Sequence, residues 1–369
     1  MVPVNAMGSS VVVLLGAGAS KDAGLPLALE LTAELAKNLQ DRGDSAALDA
    51  LNLIIGGLSF QGKVYGEGRA PQHDIETVLR VAQQLARRNE QPLATYVGSW
   101  HPALERLAPN GEGVVFDSLT DIAEEVIHEC LRAPEAKSKF KYLEELWEIG
   151  FDIGERTPPK VFTLNYDLLL ELALEHHDRR FTTGFNDGVW SSIEFDDPAR
   201  MRIYKLHGSF GWFRHEQTGV LYDRDKALDR LDITFESAGT RDEVIFATDN
   251  KLRALQPFLW MFNEFDNSVA NCRFIATVGY GFNDEHINQI ISNGMSVDES
   301  RHLIVVGPDL TEATLDRALG FSLKPQRTLF IAKGAKETLQ GDYVRKKLAE
   351  ITCQISADDP FAEHPPVGM

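Results

Sequence analysis

The sequence predicts an α/β fold: a mostly parallel sheet flanked by helices, with a helical module inserted into it. Three observations carry this. Apolar, largely β-branched runs recur at residues 11–15, 161–164, 273–278 and 302–306, the composition of strands buried on both faces. The first three run into Gly16, Asn165 or Gly279 and are followed by helical patterns, the strand–turn–helix alternation of parallel sheets. Residues 74–150, by contrast, are helical in pattern nearly throughout.

The chain is organised around residues 11–26, VVVLLGAGASKDAGLP. A buried strand gives way to Gly16-Ala17-Gly18-Ala19-Ser20, residues small enough for the backbone to approach a ligand closely. A helical pattern resumes at Leu27, so the turn has the form in which helix amides face an anion. It differs from the G-x-G-x-x-G fingerprint, because Lys21 stands three places after Gly18 and the next glycine is Gly24. No Gly-Lys-Ser/Thr follows, so it is not a P-loop, and a turn that serves packing alone fits the same residues.

Composition narrows the functional classes. The 369 residues suffice for a large core, and 43% hydrophobic with 25% charged residues is ordinary for a soluble globular chain. A formal charge of −18 argues against direct nucleic-acid binding and suits a basic partner surface or simple solubility. The cysteines, Cys130, Cys272 and Cys353, form no Cys-x-x-Cys pair, which excludes a zinc ribbon on ligand count and fits a reducing compartment. Residues 1–10 lack a signal peptide's basic region, and the next apolar run is too short for a bilayer, so a cytoplasmic protein with no membrane contact is expected.

Taken in order, Leu27, Leu31, Leu35 and Leu39 share one helical face that ends at Gly43, and 44–55 reads as a second helix closed by Gly56-Gly57. Residues 58–71, with Gly62, Gly66, Gly68 and Pro71, read as a loop able to cover a site. Asp74 opens the next helix as its N-cap, and further helices are expected at 90–108, 114–132 and 137–149. Asp74 and Glu76 also lie within plausible reach of a ribose, although capping and surface solvation explain them as well.

The strand at 161–164 delivers Asn165 and Asp167 to its carboxyl end, the position where ligands sit in such sheets; Asp167 as a cap of helix 168–176 is compatible with that. Residues 181–200 read as a loop. A short strand at 202–206 then presents His207 ahead of Gly208, where an imidazole with a pKa of about 6.5 suits proton transfer. The aromatics Phe210, Trp212 and Phe213 read as core, and 214–243 as an irregular excursion before a strand at 244–247. A helix at 257–265, the strand 273–278, the turn Gly279-Tyr280-Gly281-Phe282-Asn283-Asp284 and helix 285–293 follow, with Asn283 or Asp284 as cap. Strands at 302–306 and 329–332 complete the sheet. The expected division is a core from 1–73 and 151–356, a helical module from 74–150, and a mobile tail, 357–369.

Four motifs in this order, GAGAS at 16–20, LNYD at 164–167, KLHGS at 205–209 and GYGFNDEHIN at 279–288, resemble the sirtuin superfamily. The resemblance is closest to a bacterial sirtuin-like branch of NAD hydrolases in anti-phage defence, and it spans roughly residues 11–310. It implies a Rossmann-like sheet with NAD in an extended cleft. It further implies Gly16, Ala17, Gly18, Ser20 and Gly24 around the pyrophosphate turn, Asn165 and Asp167 beside the nicotinamide and its ribose, His207 as the catalytic histidine, and Gly279, Tyr280, Gly281 and Asn283 near the adenosine half.

Two departures from the deacylases of that superfamily shape the functional expectation. Their four-cysteine zinc ribbon has only Cys272 in the corresponding interval, and Leu27-Ala28-Leu29 stands where they carry an acidic residue, phenylalanine and arginine. Both favour water as the acceptor. The expected activity is therefore an NAD+ glycohydrolase releasing nicotinamide and ADP-ribose, with NAD as substrate and no metal. A deacylase or ADP-ribosyltransferase, and a non-catalytic NAD or ADP-ribose sensor, are the alternatives. By resemblance alone, a homo-oligomer and a separate HerA-type ATPase partner are expected.

Overall fold

The structure, a computed structural model, describes residues 10–64, 73–88, 101–109, 113–152, 154–215, 218–224, 256–320, 326–341 and 343–357. Strand β1 (Val11–Leu15) is followed at once by a one-turn helix, α1 (Gly18–Lys21). Helices α2 (Ala28–Arg42), α3 (Ser45–Val64), α4 (Ile75–Ala86), α5 (His101–Leu107) and α6 (Val114–Cys130) come next. Two 3-10 segments, Lys137–Lys139 and Lys141–Glu148, lead through α7 (Ile149–Asp152) into β2 (Lys160–Thr163) and α8 (Leu169–His176). Short strands β3 (Phe181–Thr182), β4 (Phe185–Asn186) and β5 (Val189–Trp190) precede β6 (Met201–Lys205), β7 (Trp212–Arg214) and β8 (Leu221–Asp223). The remainder alternates: α9 (Phe258–Asn271), β9 (Phe274–Val278), α10 (Glu285–Val297), β10 (His302–Val306), α11 (Glu312–Leu319), β11 (Thr328–Ile331), α12 (Ala335–Gln340) and α13 (Tyr343–Ala357).

Seven strands form one parallel sheet in the order β11-β10-β9-β1-β2-β6-β3, the Rossmann-like arrangement the apolar runs predict. From β1 the chain steps to β2 and β6 on one side, then returns to β9 and β10 on the other, so β1 and β9 flank a topological switch point. Register sharpens this. Val278, Leu15, Thr163 and Lys205 are successive neighbours on one rung, so β9, β1, β2 and β6 release their four motifs at one level. The strands are apolar throughout because both faces are covered: all five residues of β1 and of β9 are buried. A four-stranded antiparallel sheet, β4-β5-β8-β7, carries the buried Trp212 and Phe213 that the sequence assigned to the core.

Among the described residues two compact units form, one from residues before Leu25 and after Arg132, the other from Leu25–Arg132. The helical unit thus takes in α2 and α3, whose buried faces (Leu31, Leu35, Leu39 and Ala47, Ala50, Leu51, Ile54) pack with α4 and α6. This differs from a module confined to 74–150 with 27–73 in the core. Asp74 is the N-cap of α4, its Oδ1 accepting from the Thr77 amide at 2.7 Å.

Three expectations are corrected locally. Gly56-Gly57 does not end a helix: α3 runs on to Val64, so 58–64 is helix rather than loop. Each glycine costs about 1 kcal/mol relative to alanine, which a well-buried face outweighs. Residues 137–149 are 3-10 rather than α up to Glu148, because Phe140, Leu143, Leu146 and Ile149 are buried at a period of three, the repeat that eclipses side chains in a 3-10 helix. The stretch 181–200 is not a plain loop, since it contributes β3 to the main sheet and β4 and β5 to the small one. Of the helix expected at 90–108, α5 forms the described end, while residues 90–100, the loop 65–71, the strand 244–247 and the tail beyond Ala357 lie outside the described residues.

Candidate functional site

The rung that aligns the strand ends brings distant polar side chains together. Ser20 Oγ donates to Asp167 Oδ2 at 2.8 Å, and Asn165 Nδ2 donates to Ser20 Oγ at 3.1 Å. Asn165 and Asp167, two places apart just beyond β2, thus both engage Ser20. Asp167 Oδ1 accepts from the Leu169 amide at 3.0 Å, so this carboxylate also caps α8. Below it, Lys205 Nζ, buried, donates to Asp167 O at 2.6 Å and Glu171 Oε1 at 2.9 Å. Burial pushes the Asp167 pKa above the ordinary carboxylate value, and the Lys205 charge with the bonds from Leu169 and Ser20 pulls against that. A cavity of about 10 Å³, bordered by Ser20, Thr163, Asn165, Asp167 and Glu171, admits one water-sized group.

The glycines of the first turn have a packing reason. Gly16 N donates to Val278 O at 3.1 Å and Gly18 N to Gly279 O at 2.9 Å. A Cβ on Gly16 would stand 2.7 Å from Gly279 O, and one on Gly279, where φ is +64°, would stand 2.0 Å from Ala19 N. The turns after β1 and β9 are therefore fused main chain to main chain. Ala19 N and Ser20 N donate to Gly16 O and Ala17 O, so these amides serve the turn itself, and Ala17 is its exposed tip. The buried Tyr142 hydroxyl donates to Ala19 O at 2.5 Å and holds the turn from outside.

His207 occupies a second cluster. Its Nε2 lies 3.1 Å from Asp284 Oδ2, with side-chain exposures of 4% and 8%, and its Nδ1 is buried without a hydrogen-bond partner among the described residues. No hydrogen bond joins His207 to Asn165 or Asp167. The imidazole's ring neighbour is Tyr166, whose centroid lies 6.4 Å away and whose carbonyl accepts from the Phe210 amide at 3.2 Å and from Ser209 Oγ at 3.3 Å. The sequence-predicted site residues thus form a Ser20–Asn165–Asp167 group and, separately, a His207 group.

Comparison with known proteins falls on this region. Residues 159–325 match the family model of the SIR2-like domain. That span holds Asn165, Asp167, His207 and the 279–284 turn, while the Gly16–Ser20 turn precedes it. Aligned solved structures include a Sir2 homologue–NAD complex (14% identity, 93% of this chain and 90% of that chain, TM-score 0.42). Others are a Sir2–p53 peptide–NAD+ structure (13%, 92% and 95%, TM-score 0.44), and Sir2 with the inhibitor EX-527, 2′-O-acetyl-ADP-ribose and deacetylated p53 peptide (12%, 92% and 94%, TM-score 0.44). None of the curated proteins compared matches the chain.

Within the matched span the second turn is internally braced. The buried Tyr280 hydroxyl donates to Asn288 Oδ1 at 2.8 Å, and Asn288 Nδ2 donates to Phe282 O at 2.9 Å. Tyr280 therefore shapes the turn, whereas Gly281 and Asn283 are exposed on it and Gly24 is exposed beyond α1. The residue that sequence reasoning left as a mere cap is Asp284: Oδ1 accepts from the His286 and Ile287 amides while Oδ2 reaches His207. Its place in the turn that directly follows an apolar strand was the available signal.

Proposed function

We propose that the chain is an NAD+ glycohydrolase: water adds to ribose C1′ as the bond to the nicotinamide nitrogen breaks, giving nicotinamide, ADP-ribose and a proton. The observation that carries this reading is the pairing, along one rung of the SIR2-like sheet, of a bonded amide–hydroxyl–carboxylate group with a buried imidazole that keeps one nitrogen unpaired. The leaving group departs neutral from a cationic ring, so the protein's task is to orient the ribose, stabilise an oxocarbenium-like state and admit water. Asn165 holds the water or a ribose hydroxyl, and the small cavity at its side suits a water. Asp167 fixes Ser20 and Asn165 and lends negative charge near the developing cation. His207 takes a proton from water or a ribose hydroxyl through its unpaired nitrogen. The dinucleotide crosses the Gly16–Ser20 turn with Ala17, Gly18 and Gly24 nearest the pyrophosphate, and Gly279, Tyr280, Gly281 and Asn283 bound the adenosine half. An effector role in defence, self-association and an ATPase partner extend the proposal on the strength of the sequence resemblance.

The test is chromatography of NAD+ incubated with the purified protein, with and without its genomic neighbour and with no acyl-peptide. Equimolar nicotinamide and ADP-ribose are expected. Strict dependence on an acyl-peptide or other acceptor would replace hydrolysis by transfer, and binding without turnover in every mixture would make the chain a sensor.

A further inference from the structure

We infer that Asp284 is a positioning residue for His207, an acceptor that fixes which imidazole nitrogen carries the proton. The inference rests on the glycohydrolase reading for its consequence, though not for its geometry. An ionised carboxylate only accepts hydrogen bonds, so the 3.1 Å contact requires the hydrogen on His207 Nε2. In the neutral ring Nδ1 is then the acceptor, and Nδ1 is the buried atom that has no partner. A buried acceptor without a partner is costly, and one held in its basic tautomer is suited to taking a proton from a bound hydroxyl or water.

Asp284 is fit for the task because it cannot swing. Its Oδ1 is engaged by the His286 and Ile287 amides at the start of α10, at 3.0 and 3.4 Å, which aims Oδ2 in one direction. The turn that carries it is locked by Tyr280, Asn288 and Phe282 O. The imidazole in turn sits at the end of β6, one strand beyond β2, so it too is set by the sheet. Among the described residues, the titratable groups shown beside the ring are Asp284 from the second turn and the Tyr166 phenol from the β2 end. Lys205, two places back on its own strand, spends its ammonium on Asp167 O and Glu171.

The test uses Asp284→Asn and Asp284→Ser in the full chain. Asparagine retains a carbonyl oxygen for the helix cap but offers an N–H to His207, which forces the proton onto Nδ1. Serine retains a cap and offers His207 nothing. Long-range proton–nitrogen NMR should find His207 protonated at Nε2 in the neutral wild type and at Nδ1 in Asp284→Asn, at unchanged melting temperature. NAD+ cleavage should fall on the order of 100-fold in both variants. An unchanged tautomer in Asp284→Asn, or full cleavage in both variants, overturns the assignment. A tautomer switch in a wild-type protein that never cleaves NAD+ supports the pairing and overturns the reaction alone.

Discussion

Ser20 and Asp167, 147 residues apart in the chain, meet in a 2.8 Å hydrogen bond that ties the first turn of the sheet to the start of α8. The bond ranks above its size because Ser20 Oγ simultaneously accepts from Asn165. Ser20→Ala leaves Asp167 Oδ2 and Asn165 Nδ2 each short of a partner. A stability loss of about 1–3 kcal/mol follows, read from urea unfolding. NAD+ cleavage should drop by at least tenfold as the Asn165 amide loses its stop; a variant as active as wild type would separate Ser20 from the site.

Asn165→Ala and His207→Ala address the chemistry more directly. Each should lower NAD+ consumption on the order of 100-fold or more while the circular dichroism and melting profile stay near wild type. Full activity in either variant removes that side chain from the mechanism.

Asp167 gives a pH signature. Its folded pKa is raised by burial, so the folded chain holds a proton that the unfolded chain releases above its ordinary value of 3.8. Stability contributed by this group is therefore present at low pH and declines as pH rises from that value through the folded one. Asp167→Asn keeps an acceptor for Leu169 N and lacks the titration. Its denaturation midpoint should gain on wild type between pH 4 and pH 7; a constant difference would show that Asp167 does not titrate differently in the folded state.

Lys205 and Glu171 form a buried ion pair at 2.9 Å, with the lysine also holding Asp167 O. Removing only the cation, in Lys205→Met, strands a buried carboxylate and should cost about 3 kcal/mol or more. Adding Glu171→Leu should recover part of that loss. A double variant less stable than the single one would mean that Glu171 is anchored by something other than Lys205.

The two glycine turns separate steric from conformational cost. Gly24→Ala places a Cβ in open space at φ +99° and should cost about 1–2 kcal/mol. Gly279→Ala adds, to a similar backbone penalty, a Cβ 2.0 Å from Ala19 N, and neither backbone can yield without parting β1 from β9. It should unfold the protein or cost several times as much, as thermal denaturation will report. Equal costs would contradict the fused turns.

The motif-bearing strands were legible because doubly buried parallel strands leave an unbroken apolar record, as in Val11–Leu15 and Phe274–Val278. What sequence could not show is level: nothing in the spacing says that Leu15, Thr163, Lys205 and Val278 share a rung. The hydrogen-bonded groups were illegible for the same reason. Asn165, Asp167 and His207 were expected at one site; Asn165 and Asp167 share bonds with Ser20, while the Tyr166 ring stands 6.4 Å from the imidazole. Asp284 read as a cap because capping is what its local sequence reveals, and its second oxygen answers to a residue 77 positions earlier. At 137–149 the leucines and aromatics satisfy a period of three as well as 3.6, and packing chose the tighter winding.

The placement of β1 has a consequence for synthesis. Its partner on one side, β2, leaves the ribosome after Lys160, but its partner on the other, β9, arrives only from Phe274 onward. During the intervening stretch a five-residue, wholly apolar strand offers a bare hydrogen-bonding edge to any neighbouring nascent chain. Ribosome-bound intermediates stalled before Phe274 should therefore be the species that chaperones hold longest and that aggregate most readily, and extension through Val278 should relieve both.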